Sequence, residues 1–191
     1  MIDLNDGISI VKTARNMIEA EASGGQIDIR QNRHEKSGVF VTINTYPDGH
    51  LRGCIGYAEP VFSLSEALYR SAVSACHDPR FPALRENELE NITVEVTILS
   101  KPALIPGSKD EVKASIVIGR DGLILDSPKG RGLLLPQVPT EWNWDVIEYL
   151  ENLSCKAGLS KDAWKDNGSR IYSFTGEIFS ETSPKGEIVR R

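Results

Sequence analysis

Cysteine is scarce in this chain. Cys54, Cys76 and Cys155 are an odd number in 191 residues and contain no Cys-x-x-Cys pair, so a disulfide framework is excluded and a reducing cytoplasm is the default setting. Histidine is as sparse: His34, His50 and His77 form no His-x-x-x-His pair, and no metal site is expected. No apolar run approaches the roughly 18 residues of a membrane span. The first residues, with Asp3 and Asp6, carry neither a basic n-region nor an apolar h-region, so the reading is a soluble intracellular protein without a membrane. Positive charge is also in deficit. Lys and Arg number 22 against 27 Asp and Glu, a formal charge of −5, the wrong sign for strong, sequence-independent duplex DNA binding, which depends on excess cation. Internal repeats and long linkers are missing too. What remains is a chain of 40% apolar residues, long enough for one sizeable core or a main domain with a small appendage.

Periodicity sets out the elements. Asp6 is placed to cap a helix whose apolar positions Ile10, Val11, Ala14, Met17 and Ile18 recur every three to four residues as far as Gly24-Gly25. Val39 to Thr45 reads as a strand, Pro47-Asp48-Gly49-His50 as a turn and Leu51 to Tyr57 as the returning strand. Ser63 and Glu66 make a capping box for a helix running to about Cys76, stopped by Pro79 and Pro82. Ile92, Val94, Val96 and Ile98 alternate with polar residues as a half-buried strand does. Three β-rich runs, Ser115 to Ile118, Leu123 to Leu125 and Leu133 to Leu135, resemble a meander. A helix through Val146, Ile147, Leu150 and Leu153, a short helix from Ser160 to Lys165 and a final strand from Ile171 to Phe179 follow, leaving 181–191 as a polar, frayed tail. This order predicts an α+β fold, an antiparallel sheet with packed helices, rather than a doubly wound parallel sheet.

Chemistry concentrates in Leu51-Arg52-Gly53-Cys54-Ile55-Gly56. Strand alternation puts Arg52, Cys54 and Gly56 on one face and Leu51, Gly53 and Ile55 on the other. A guanidinium beside a thiol, with glycines that let a ligand approach the backbone, is the pattern of a small anion site. A nucleophilic thiol needs a lowered pKa, which Arg52 or the helix N-terminus near Ser63 would favour; the plain alternative for Cys54 is a small buried strand residue. His50 reads as an exposed turn residue and His77 as a cation closing a helix. Gly130-Arg131-Gly132 lacks the spacing of a phosphate loop and reads as a turn. For Trp142, Trp144 and Trp164, core packing is the expectation ahead of stacking on a base.

Four motifs in collinear order carry a resemblance. Leu51-Arg52-Gly53-Cys54-Ile55-Gly56, Asp78-Pro79-Arg80-Phe81-Pro82, Val94-Glu95-Val96-Thr97-Ile98-Leu99-Ser100, and Gly132 to Val138 with Glu141 and Trp144 are similar to the successive motifs of the AMMECR family, whose microbial members are also called AmmeMemoRadiSam system protein A. The resemblance runs from about residue 8 to residue 180. It implies a single α+β domain over 1–180, with a larger antiparallel sheet and helices joined to a smaller β-rich part and a cleft between them. It also implies where to look: Cys54, Glu95 and Glu141 as candidate catalytic residues, and Arg52, Gly53, Arg80 and Gln137 as candidate substrate contacts. Glu95 and Glu141 are the expected carboxylate partners of Arg52. The plain reading of the Asp78 to Pro82 turn is a helix stop held by an Asp78 to Arg80 contact. The implied partners are Memo-type and radical SAM pathway proteins, with no cofactor. Two functions follow as expectations: an enzyme using Cys54 as nucleophile and Arg52 as anion anchor on a small or protein-borne substrate, or a non-catalytic binding module that recruits a Memo-type or radical SAM partner, or RNA, through the same cleft.

Overall fold

A computed structural model describes residues 2–26 and 34–191. In chain order its elements are α1 (Leu4–Ala22), β1 (Gly38–Thr45), β2 (Leu51–Tyr57), α2 (Leu64–Cys76), β3 (Ile92–Leu99), β4 (Ala103–Leu104), α3 (Lys109–Ser115), β5 (Gly122–Ser127), β6 (Gly130–Leu134), α4 (Gln137–Glu141), α5 (Val146–Lys156), β7 (Arg170–Phe174), β8 (Gly176–Glu181) and β9 (Ile188–Arg190). They divide into two compact units, one made of 1–99 with 177–191 and the other of 100–176.

In the first unit the sheet order is β2-β1-β3-β8-β9, with β1 antiparallel to both β2 and β3. The cap of α1 is Asp3 rather than Asp6: its carboxylate accepts the Asp6 N–H at 2.9 Å, so the helix starts a few residues earlier than its sequence pattern suggests. The α1 stripe Ile10, Val11, Ala14, Met17 and Ile18 is buried, as are Leu64, Ala67, Leu68 and Ala72 of the Ser63-capped α2. They share one core with Val39, Val41, Ile43, Val94, Val96 and Ile98 from alternate positions of β1 and β3. Full burial of such a side chain contributes about 1.5–3 kcal/mol, so this seam, more than helix propensity, holds the helices on the sheet.

Sequence and structure part company at the C-terminal end. The run Ile171 to Phe179 is not one strand: it breaks at Thr175, whose carbonyl and amide both bond Ser100, so that β7 and β8 enter different sheets. Residues 181–191 are not a frayed tail either. β9 pairs antiparallel with β8 through Phe179↔Arg190, Ser180↔Val189 and Glu181↔Ile188, and Ile188 is buried. That single apolar anchor and the Thr182 N–H to Glu187 carbonyl bond of 2.9 Å close the hairpin.

The second unit is a four-stranded sheet, β4-β7-β5-β6, with antiparallel pairings, covered by α5. Asp145 caps α5, accepting the N–H of Ile147 and of Glu148 at 2.8 Å, and Gly158 ends it at φ +75°. Tyr149, Leu150 and Leu153 bury against Leu123, Leu125, Trp164 and Ile171. Of the three β-rich runs expected here, the second and third are β5 and β6, but Ser115 to Ile118 is no strand. Ser108 and Glu111 form a capping box that opens α3 instead, a Ser-x-x-Glu signal present in the sequence. Two sheets with antiparallel pairings and several helices make the fold α+β.

Candidate functional site

Strand β2 lies at an edge of the first sheet, and its register explains its residues. Thr42 pairs with Cys54 and Ile43 with Gly53, but Asn44 pairs with Leu51, leaving Arg52 as the extra residue of a bulge. A bulge breaks the two-residue alternation, so the expected side-by-side placement of Arg52 and Cys54 does not follow. Their partners are separate. Arg52 donates from Nε to Glu88 Oε2 at 2.8 Å and from Nη2 to Glu88 Oε1 at 3.0 Å, with a longer bond to the Ala83 carbonyl. The carboxylate that pairs with Arg52 is therefore Glu88, not Glu95 or Glu141. Nothing in the sequence pattern marks Glu88, which meets Arg52 across 36 positions and also accepts the Arg85 N–H at 2.9 Å. The Arg52 hydrogen bonds hold its carboxyl below the usual range.

The glycines of the hexapeptide are spoken for as well. A Cβ at Gly53 would stand 2.3 Å from the Ala75 carbonyl oxygen, and one at Gly56 would stand 2.4 Å from the Phe40 ring and from the Val39 carbonyl oxygen. At Gly53 the space is filled by the end of α2, so it does not admit a ligand to the backbone as its sequence position suggested.

Cys54 is gripped through its main chain. Its N–H donates to Asp78 Oδ2 at 2.9 Å and its carbonyl accepts from Arg80 Nη2 at 3.3 Å, so an aspartate and an arginine take the outward backbone groups as an adjacent strand would. Arg80 returns to Asp78 through Nε, Nη2 and its own N–H, at 3.0, 2.7 and 3.0 Å. The Asp78 side chain is 1% exposed while that of Arg80 is 55% exposed. Arg80 hydrogen bonding, joined by the Cys54 and Arg80 amides, outweighs burial and holds the Asp78 carboxyl well below the usual carboxylate range.

The Cys54 thiol looks elsewhere, accepting a hydrogen bond from Thr42 Oγ1 at 3.3 Å. Thr42 pairs on its other side with Glu95, so Cys54, Thr42 and Glu95 form one line across β2, β1 and β3, on the face opposite Val41, Ile43, Val94 and Val96. At about 4.8 Å between strands, the Cα atoms of Cys54 and Glu95 are roughly 10 Å apart. Burial pushes the Glu95 carboxyl above its ordinary range, against the opposing pull of Arg191. His77 is engaged elsewhere, with Glu21 at 2.7 Å, and His50 is exposed beside the turn. Of the other thiols, Cys76 is buried and pushed up to about 12 chiefly by that burial, and Cys155 is exposed.

Beside β2 is an open depression of about 500 Å³ lined by Arg52, Phe81, Pro82, Ala83, Arg85, Asn87 and Glu88; Cys54 does not line it. The guanidinium carbons of Arg52 and Arg80 lie 6.0 and 5.7 Å from the centre of the Phe81 ring. The Arg85 side chain is exposed and stands on the rim. Gln137 and Glu141 are the two ends of α4 in the second unit, and both are exposed. Trp164 is packed in a core, whereas Trp142 is exposed. Among the described residues no three His, Cys, Asp or Glu gather as metal ligands would, and no helix is long and apolar enough to cross a membrane.

The AMMECR1 family model matches residues 11–179. A protein of Methanocella arvoryzae is 48% identical over 197 residues, covering 100% of this chain and 98% of its own length. Protein MJ0810 of Methanocaldococcus jannaschii is 46% identical over 196 residues, with the same coverage of 100% and 98%. The crystal structure of uncharacterized protein PH0010 from Pyrococcus horikoshii is similar at a TM-score of 0.77 and 43% identity, over 97% of this chain and 96% of that one.

Proposed function

Given that this chain belongs to the AMMECR1 family, we propose that it is a non-catalytic binding module, which takes a small anion, or an anionic group on a partner protein, in the depression beside β2. The observation that carries this reading is the setting of Arg52. Its side chain is 13% exposed and pinned by both Glu88 oxygens, and Nη1 has no hydrogen-bond partner among the described residues. A guanidinium held in this way has little rotamer entropy left to lose on meeting an anion. Glu88 offsets the charge of Arg52, so Arg85 on the rim supplies the net attraction, and Phe81 supplies an apolar wall. The implied partners, Memo-type and radical SAM proteins, are the first to assay. The test is titration calorimetry with citrate on the wild type, Arg85→Ala and Cys54→Ser, run beside pulldown of both partner types. Arg85→Ala should weaken citrate binding severalfold and Cys54→Ser should leave it unchanged; loss confined to Cys54→Ser would sink the reading.

One observation favours the enzymatic alternative, with Cys54 as nucleophile. The line of Cys54, Thr42 and Glu95 places a carboxyl of raised pKa, suited to carrying a proton nearer neutrality, on the same sheet face as a partly exposed thiol. Under that reading Glu95→Gln changes the pH profile of iodoacetamide labelling at Cys54; an identical profile excludes Glu95 as its proton partner.

A further inference from the structure

The second unit presents an aromatic surface that the depression beside β2 does not use. Trp142 is 67% exposed, more than any other exposed large hydrophobic side chain among the described residues. Its indole stacks on that of Trp144, with ring centres 6.2 Å apart and planes 20° from parallel, and Trp144 packs on the core formed by Leu123, Tyr149 and Leu150. The platform is thus anchored from below and open above. Its backbone is fixed as well: the N–H groups of Trp142, Asn143 and Trp144 donate to the carbonyls of Val138, Thr140 and Pro139 at 3.2, 3.3 and 2.8 Å, and Asn143 between the two rings holds φ at 51°. A partner that lands here meets an aromatic face already ordered.

Charge says which partner. From Gly132 to Cys155 the chain contains no lysine or arginine, but it does contain Glu141, Asp145, Glu148 and Glu151. Glu141 immediately precedes Trp142 and is exposed. Asp145 and Glu148 are held by the reciprocal cap of α5, which uses Asp145 Oδ1 and Glu148 Oε2 and leaves each a second oxygen without a hydrogen bond among the described residues. Ile147, between them, is 46% exposed. Acidic residues flanking the platform in sequence repel phosphate backbones and other anions, and they complement cations.

We propose that the Trp142–Trp144 platform docks a basic peptide segment, with an arginine guanidinium stacked on the open face of Trp142 and neighbouring basic side chains on Glu141, Asp145 and Glu148. Arginine suits the site better than lysine, because its planar cation stacks on an indole while its edge still donates to carboxylates. The platform is built from residues of the second unit alone, so neither reading stands or falls with the other.

The test is fluorescence anisotropy of a dye-labelled Arg-Gly repeat peptide against the full chain. Trp142→Ala should weaken binding by about tenfold, the size expected when one desolvated cation–π contact is lost. Trp142→Tyr should restore most of it, and a Lys-Gly peptide should bind the wild type more weakly. Glu141→Gln should have a smaller effect and flatten the salt dependence. Because Trp142 is exposed, the melting temperature of Trp142→Ala should match the wild type, which separates lost binding from lost folding. The proposal is overturned if Trp142→Ala binds the peptide as the wild type does. It is equally overturned if a neutral oligosaccharide displaces the peptide at comparable concentration, or if sedimentation shows the wild type to be a dimer and Trp142→Ala a monomer.

Discussion

The first unit closes its core with residues drawn from both ends of the chain, whereas the second is built from one continuous stretch, 100–176. In the first, Arg15 Nε donates to Glu181 Oε1 at 3.0 Å across 166 positions, and the Ile2 N–H reaches Glu177 Oε1 at 3.0 Å across 175. Arg15 also donates to the Leu89 and Ile92 carbonyls, and Glu181 Oε2 accepts the Val94 N–H, so the pair knits α1 to β3 and β8 inside the protein. In the second unit, Leu123, Leu125, Tyr149, Leu150, Leu153 and Ile171 meet over a far shorter span of chain. Closing the first core therefore carries the larger loop-closure entropy and depends on the last strands, whereas the second core closes over more local contacts.

The sharpest way to break this comparison is Glu181→Ala. It strands the Arg15 guanidinium, whose side chain is 5% exposed, and removing one partner of a buried pair costs about 3–5 kcal/mol. Hydrogen exchange should show amides of α1, β3 and β9 losing protection while those of β5 and α5 keep theirs; equal loss in both units would mean that they unfold as one. Next in size is Gly53→Ala, which drives a methyl into the Ala75 carbonyl and should cost about 1–3 kcal/mol by overpacking, read as a lower melting temperature. An unchanged melting temperature would show that α2 can slide off β2. Tyr149→Phe probes the other unit: it removes the hydroxyl whose single proton is shared between the Asp121 and Leu134 carbonyls at 3.1 and 3.2 Å, and about 1 kcal/mol should be lost from β5 and α5 alone.

Asp78→Asn is read through pH, since the asparagine oxygen can still accept the Cys54 amide but carries no charge for Arg80. Its pH dependence carries the information. The folded-state pKa of Asp78 lies below its unfolded value, so its contribution is fully present above the ordinary carboxylate pKa of about 3.9 and is lost as pH falls toward the folded value. The stability gap between wild type and Asp78→Asn should therefore hold from neutrality down to about pH 5 and shrink below about pH 4. A gap that does not change with pH would show that the ion pair with Arg80 contributes nothing.

Much of the first unit was legible from periodicity. The stripes of α1 and α2, the alternation in β3 and the Ser63 cap are local signals, and each of those elements is where its pattern puts it. The misses share a cause. That β7 and β8 belong to different sheets depends on Ser100 meeting Thr175, and the Arg52 to Glu88 pair on a turn after α2, neither of which any window of sequence contains. The bulge at Arg52 adds one residue to the register and leaves no mark in composition. The alignment of Glu95 with Cys54 follows only once both strands are paired with β1. For α3 the Ser108 and Glu111 signal is as local as the Ser63 cap of α2.

The grip of Asp78 and Arg80 on Cys54 bears on how this protein behaves in a crowded solution. An unpaired edge is where β-proteins begin to aggregate, because a second chain can zip onto its free amides and carbonyls. At Cys54 an incoming strand would first have to expel a carboxylate almost sealed from water, together with its bound arginine. Cross-β growth is thereby pushed to the far edge of the same sheet, β9, which offers three residues and ends beside two arginines. Short, charged edges are poor templates for a fibril, so the first sheet is defended on both flanks, by a clasp on one and by brevity on the other.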